Sequence, residues 1–178
     1  MKILLTGTPG SGKTTLTQFA HTNNDTRFYD ADQIEGLCEW REFETGKVIG
    51  LVTDFVESRD DDWYNKYGWY WRPDVLKSFL DKHEDVVVCG SSENVTDFYE
   101  LFDDVAILIK EEKDLLSNLS SPDRSNPFGK TTVQRSNFMN WQDHLLHKIP
   151  SAAPFCIYGN DTRAAYDKLI ERYFPGTM

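Results

Sequence analysis

The segment GTPGSGKT, Gly7 to Thr14, has the residue types and spacing of a loop that wraps a phosphate. Gly7, Gly10 and Gly12 reach backbone angles that a Cβ makes costly, so amide hydrogens can turn inward around an anion. A helix opening directly after the loop adds unpaired N–H donors and the positive end of its dipole. Lys13 brings a point charge suited to β- and γ-phosphates, and the Thr14 hydroxyl is placed to ligate Mg²⁺. The residues expected to hold nucleotide are therefore Gly7, Thr8, Pro9, Gly10, Ser11, Gly12, Lys13, Thr14 and Thr15, with ATP and Mg²⁺ as the cofactors implied.

The tetrapeptide GKTT recurs at Gly129 to Thr132. There Arg124 stands where the first glycine is needed, and a Ser/Pro/Asn-rich stretch replaces the leading strand. Only the first copy has an apolar lead-in (Lys2 to Thr6) and a helical lead-out (Lys13 to Thr22).

A second chemical signal is FYDADQI, Phe28 to Ile34. If the chain is extended there, Asp30 and Asp32 point to one side. Two carboxylates beside a nucleotide can divide the work, Asp30 holding Mg²⁺ and Asp32 meeting a substrate hydroxyl. The competing reading is that either one caps the helix that follows. The run VVVCGSSEN has no acid directly closing it, so the magnesium role falls to Asp30 or to Glu93.

Positioning these groups requires a sheet. Strand-like runs at KILLT, RFYDA, DVVVCG, DVAILIK and PFCIYG alternate with helical segments, which predicts five parallel strands covered by helices on both faces. Helices are expected at 33–44, 48–56, from Pro73, at 95–101, 113–119, 133–147 and 162–173. At 178 residues the chain suits one domain. Its net charge of −10 argues against a surface built for nucleic acid. ESRDDD, Glu57 to Asp62, reads as a solvated loop. Cys38, Cys89 and Cys156 make no disulfide framework, no leader precedes the first strand and no run reaches membrane-spanning length, so a cytoplasmic protein is expected.

GTPGSGKTT, DAD after the second strand, and a hydrophobic third strand ending in Cys-Gly-Ser-Ser together resemble the shikimate and gluconate kinase branch of small P-loop kinases, itself similar to nucleoside monophosphate kinases. The resemblance implies a three-layer α/β P-loop NTPase fold over residues 1–178, with strand order 2-3-1-4-5. It also implies a substrate-binding segment over 33–72 and a mobile lid over 118–135 that brings arginine to the transferring phosphate. Arg124 matches that lid, with Lys130 and Arg135 as further candidates; the alternative is an exposed polar turn. Where related kinases carry an arginine on the preceding helix, this chain has Asn118. Asn160 and Arg163 fall where a loop edges the adenine in related kinases.

Arg41 is expected in a helix after DAD, and DDDWYNKYGWYWRPD adds Trp69 and Arg72. Aromatics there can stack on a base beside an arginine that holds an anion, or can pack a small subdomain. His144 and His147 read as surface residues. The function expected is Mg·ATP-dependent phosphoryl transfer to a small-molecule acceptor, a nucleoside or nucleotide ahead of a polyol acid. Two alternatives stand beside it: a kinase for a nucleic-acid end or modified base, and a regulatory ATPase without acceptor. The oligomeric state is not legible.

Overall fold

The computed structural model describes residues 1–51, 60–121, 129, 131–148 and 155–176. In chain order its elements are β1 (Lys2–Thr6), α1 (Lys13–Thr22), β2 (Phe28–Asp30), β3 (Cys38–Glu42), β4 (Val48–Leu51), α2 (Asp61–Lys66), β5 (Tyr67–Trp71), α3 (Pro73–Leu80), β6 (Val86–Cys89), β7 (Asp104–Ile109), α4 (Glu112–Ser120), α5 (Thr132–Lys148), β8 (Phe155–Tyr158) and α6 (Thr162–Tyr173). Short 3-10 segments lie at Ala31–Gln33 and Val95–Leu101.

Strands buried on both faces read as unbroken apolar runs, and β1, β6 and β7 are of this kind. Their alternation separates two cores. Ile3, Leu5, Val87 and Ala106 face α1 and α6, meeting Leu16, Ala20, Leu169 and Ile170. Leu4, Val86, Val88 and Ile107 face the other way, toward Leu76 and Leu80 of α3, Phe98, Trp71 and Leu145 of α5. The sheet runs β2-β6-β1-β7-β8, all parallel. Counting only these five strands in chain order, that is 2-3-1-4-5, the P-loop NTPase arrangement with helices on both sides.

The segment between β2 and α3 departs from the helices expected at 33–44 and 48–56. It forms an antiparallel sheet ordered β4-β3-β5, with Cys38 opposite Trp71 and Trp40 opposite Trp69. Gly36 (φ +73°) and Gly46 (φ +68°) bracket β3 with conformations that end a helix, and Gly46 closes the hairpin to β4. Residues 52–56 of the second expected helix lie outside the described residues. Arg41 is accordingly on a strand, paired with the buried Glu39.

The acidic run is not simply solvated. Asp60 caps α2 by accepting from the Trp63 amide at 2.9 Å, and Asp61 accepts from Thr131 Oγ1 at 2.7 Å and Gln134 Nε2 at 3.1 Å. These bonds tie the small sheet's helix to the start of α5. Thr131 of the second GKTT caps that start: its Oγ1 accepts from the Gln134 amide at 3.2 Å.

Gly90, where β6 ends, marks a tight junction between the two sheets. A Cβ there would lie 2.5 Å from Ala31 Cβ and 2.6 Å from Trp71 Cζ2, and Trp71 is fully buried. Gly90→Ala is expected to lower stability by about 1–3 kcal/mol through overpacking, read as a fall in the urea midpoint with unchanged slope. An unchanged midpoint would show that the junction yields.

Candidate active site

The loop between β1 and α1 adopts the shape its glycines permit. Gly7 (φ +151°) passes so close to β7 that a Cβ would sit 2.7 Å from the Leu108 carbonyl oxygen, and Gly12 (φ +103°) is the N-cap of α1. Lys13 Nζ donates to the loop's own carbonyls, Gly7 O at 2.6 Å and Thr8 O at 3.0 Å. Ser11 Oγ is buried without a hydrogen-bond partner among the described residues. A left-handed cap, a helix N-terminus, an ammonium folded onto the loop and an unsatisfied hydroxyl inside it fit a phosphate group.

Thr14 Oγ1 donates to Asp30 Oδ2 at 2.8 Å, bringing the helix start to the end of β2. The other Asp30 oxygen accepts from the Asp32 amide at 3.1 Å and caps the 3-10 turn that follows. Capping and the contact with Thr14 therefore coexist in one buried carboxylate. Asp32 is not on an extended strand, as the alternation argument required, but the 3-10 turn brings it into the same cavity as Asp30. Its Oδ1 accepts from Trp69 Nε1 at 3.2 Å. Asp32 is reachable from the cleft. Crowding by the cleft walls, together with the neighbouring Asp30 charge, nonetheless pushes its carboxyl up to about 6.

No described group of three or more His, Cys, Asp or Glu side chains could hold a metal. Mg²⁺ needs less from a protein, because it keeps several waters and takes one or two side chains beside substrate phosphates. Thr14 and Asp30 are suited to that part. Glu93, the other candidate, lines the same cavity from the side of the small sheet, its Cγ 2.8 Å from where a Cβ on Gly68 would be.

The loop and both aspartates open on a cavity of about 770 Å³. Its far wall is aromatic, from Trp40, Phe43, Tyr64, Tyr67, Trp69, Phe138 and Trp141. The aromatic run thus divides. Trp71 stacks on Phe98 in the core, Trp69 lines the cavity, and Tyr70 lies under Arg41 on the opposite face.

Several expected residues do not reach the cavity. Arg41 bonds Glu39 through Nε at 2.6 Å, because it faces away from Trp40 along β3. Arg72 donates to Asp74 at 2.8 Å at the start of α3. Arg163 is exposed on α6, 3.8 Å from Asp167. Asn160 accepts from Lys110 Nζ behind the phosphate loop. Arg135 donates to Gly129 O at 2.9 Å, while Arg124 and Lys130 lie outside the described residues. Asn118 of α4 does line the cavity, donating to Gly10 O at 2.9 Å. His144 and His147 are exposed.

Lys110 escaped the sequence reading. It follows β7, and its Cε comes within 3.7 Å of the place a Cβ on Gly12 would occupy. Nζ also lies 3.4 Å from Gly159 O, and burial lowers its ammonium below the usual lysine range. The signal available was its position: a lone lysine closing an apolar strand beside the phosphate loop.

No family model and no curated protein matches the sequence. Solved structures do match in fold. Shikimate kinase from Acinetobacter baumannii, in complex with shikimate, is 15% identical with a TM-score of 0.59, over 99% of this chain and 94% of that one. Shikimate kinase from Bacteroides thetaiotaomicron is 19% identical at a TM-score of 0.55, over 96% and 97%. Shikimate kinase from Aquifex aeolicus is 14% identical at 0.54, over 96% and 94%. The chain has the fold of small P-loop kinases along nearly its whole length. No helix among the described residues is long and apolar enough to cross a membrane.

Proposed function

We propose that this protein transfers the γ-phosphoryl group of Mg·ATP to a hydroxyl of a small-molecule acceptor, with a nucleoside or nucleotide preferred over a polyol acid. The observation that carries the reading is one cavity shared by the phosphate loop, two aspartates and an aromatic wall. Base stacking on that wall supports the preference.

In this reading the loop amides and Lys13 hold the β- and γ-phosphates, and Lys13 exchanges its carbonyl partners for phosphate oxygens. Thr14 and Asp30 would hold Mg²⁺, which when bound neutralises charge on the phosphates. The acceptor oxygen attacks the γ-phosphorus, the bond to the β,γ-bridging oxygen breaks, ADP leaves with the electron pair, and Asp32 takes the acceptor's proton. Trp69 holds Asp32 in orientation through its indole N–H. Arg124 is assigned to charge on the transferring group.

Lys110 is assigned to positioning. Its ammonium holds the 159–160 turn against the phosphate loop, where the nucleoside part of ATP is expected. Lys110→Met should weaken binding of a fluorescent ATP analogue about tenfold, the equivalent of one hydrogen bond to a charged group. Unchanged affinity would remove Lys110 from the site. The function itself is tested by an ATP-consumption screen across nucleosides, nucleotides and sugar or cyclohexene acids. ADP release dependent on one acceptor, with a phosphorylated product, is the expected result. Acceptor-independent hydrolysis alone would favour a regulatory ATPase instead.

A further inference from the structure

The far half of the cavity carries a carboxylate that the transfer chemistry does not use. Glu93 sits on a strap, Ser92–Asn94, that joins the end of β6 to the small sheet. Its amide donates to Trp69 O at 2.8 Å. Next to it, Asn94 clamps Trp71 from both sides, Oδ1 accepting from the Trp71 amide at 3.0 Å and Nδ2 donating to the Trp71 carbonyl at 3.0 Å. Ser92 Oγ donates to Asn94 Oδ1 at 3.0 Å. The backbone beneath Glu93 is therefore fixed.

Gly68 makes room for the side chain. A Cβ on Gly68 would lie 2.8 Å from Glu93 Cγ and 2.7 Å from Phe43 Cε1, so any larger residue there would displace the acid or the ring from that face of β5. The indole of Trp69 is next in the same wall, 5.0 Å from Trp40. An aromatic wall with one carboxylate set into it suits a flat or apolar ring that presents O–H or N–H groups, and it suits a cation equally well.

Charge in the cavity points the same way. Asp30, Asp32 and Glu93 all line it, and Lys13 lies at its phosphate end. Like charges brought together in a binding site discriminate strongly against the wrong partner.

We infer that the acceptor is an uncharged or cationic ring compound bearing hydroxyls, selected against anionic acids and phosphate esters by Glu93. The inference rests on the phosphotransfer reading above and narrows it, turning from nucleotide toward nucleoside-like acceptors.

The test compares kcat/KM with Mg·ATP for thymidine, adenosine and 2-deoxystreptamine against thymidine 5′-monophosphate, shikimate and gluconate. The wild type is expected to favour the best non-anionic acceptor over the best anionic one by about a hundredfold. Glu93→Gln should cut that ratio to about tenfold or less, chiefly through KM, while Glu93→Asp keeps most of it. Binding of the fluorescent ATP analogue confirms that each variant is folded. A wild type that prefers any of the anionic acceptors overturns the inference and leaves phosphotransfer standing. A ratio unmoved in Glu93→Gln also overturns it. ATP binding with no transfer to any of the six compounds removes the underlying reading and the inference together.

Discussion

Lys13→Ala should lower acceptor phosphorylation by about a thousandfold or more, since electrostatic stabilisation of the transferring group is the main work left to the protein in this chemistry. The side chain is half-buried and meets loop carbonyls, Gly7 O at 2.6 Å and Thr8 O at 3.0 Å. Removing it leaves no cavity in the sheet's two cores, to which Lys13 does not belong. The thermal midpoint should therefore hold within a few degrees while binding of the ATP analogue falls. Phosphoryl transfer surviving in this variant would move the nucleotide away from the loop between β1 and α1.

Asp32→Asn is expected to cost about 10²- to 10⁴-fold in kcat, the range for loss of a general base. Asparagine keeps an oxygen for the Trp69 indole N–H, so orientation survives and proton acceptance does not. The pH profile separates the two. Asp32 accepts a proton only when ionised, and its carboxyl is pushed up to about 6. Wild-type kcat/KM should then fall about tenfold per pH unit below that value, with a plateau above it. In Asp32→Asn the residual rate should lose this acid limb. A limb near 6 that persists in the variant would assign the base to another group.

The parallel sheet was legible because its central strands β1, β6 and β7 are buried on both sides. Ile3, Leu4 and Leu5 in β1 and Val86, Val87 and Val88 in β6 leave no polar position for solvent, and such runs have few other uses. The phosphate loop was legible for a similar reason: three glycines, a lysine and a hydroxyl in fixed order demand one backbone shape. The small sheet was not. Ile34, Leu37, Cys38 and Arg41 mimic helical spacing, while the buried Glu39, whose charge is answered by Arg41, hides the strand's alternation. Gly36 and Gly46, both in left-handed conformations, were the available warning.

The site divided along the same line. Asp30 and Asp32 are close in sequence to a strand end, so local reasoning brought them to the cavity, although a 3-10 turn and not an extended chain does it. Lys110 was missed because it comes from a later strand whose approach to the loop depends on the sheet order, whereas Glu93 and Asn118, both named from the sequence, do line the cavity. Arg41 and Arg72 failed to reach the cavity because each found a carboxylate within two residues, Glu39 and Asp74. The Arg41–Glu39 pairing was visible in the sequence once β3 was known to be a strand.

The most direct test is a crystal structure with Mg²⁺ and a non-hydrolysable ATP analogue. The account predicts a triphosphate held by the amides of residues 10–14, with Lys13 turned from the Gly7 and Thr8 carbonyls onto phosphate and the γ-phosphate facing Asp32. A triphosphate bound away from this loop, or a γ-phosphate directed out of the aromatic cavity, would contradict it.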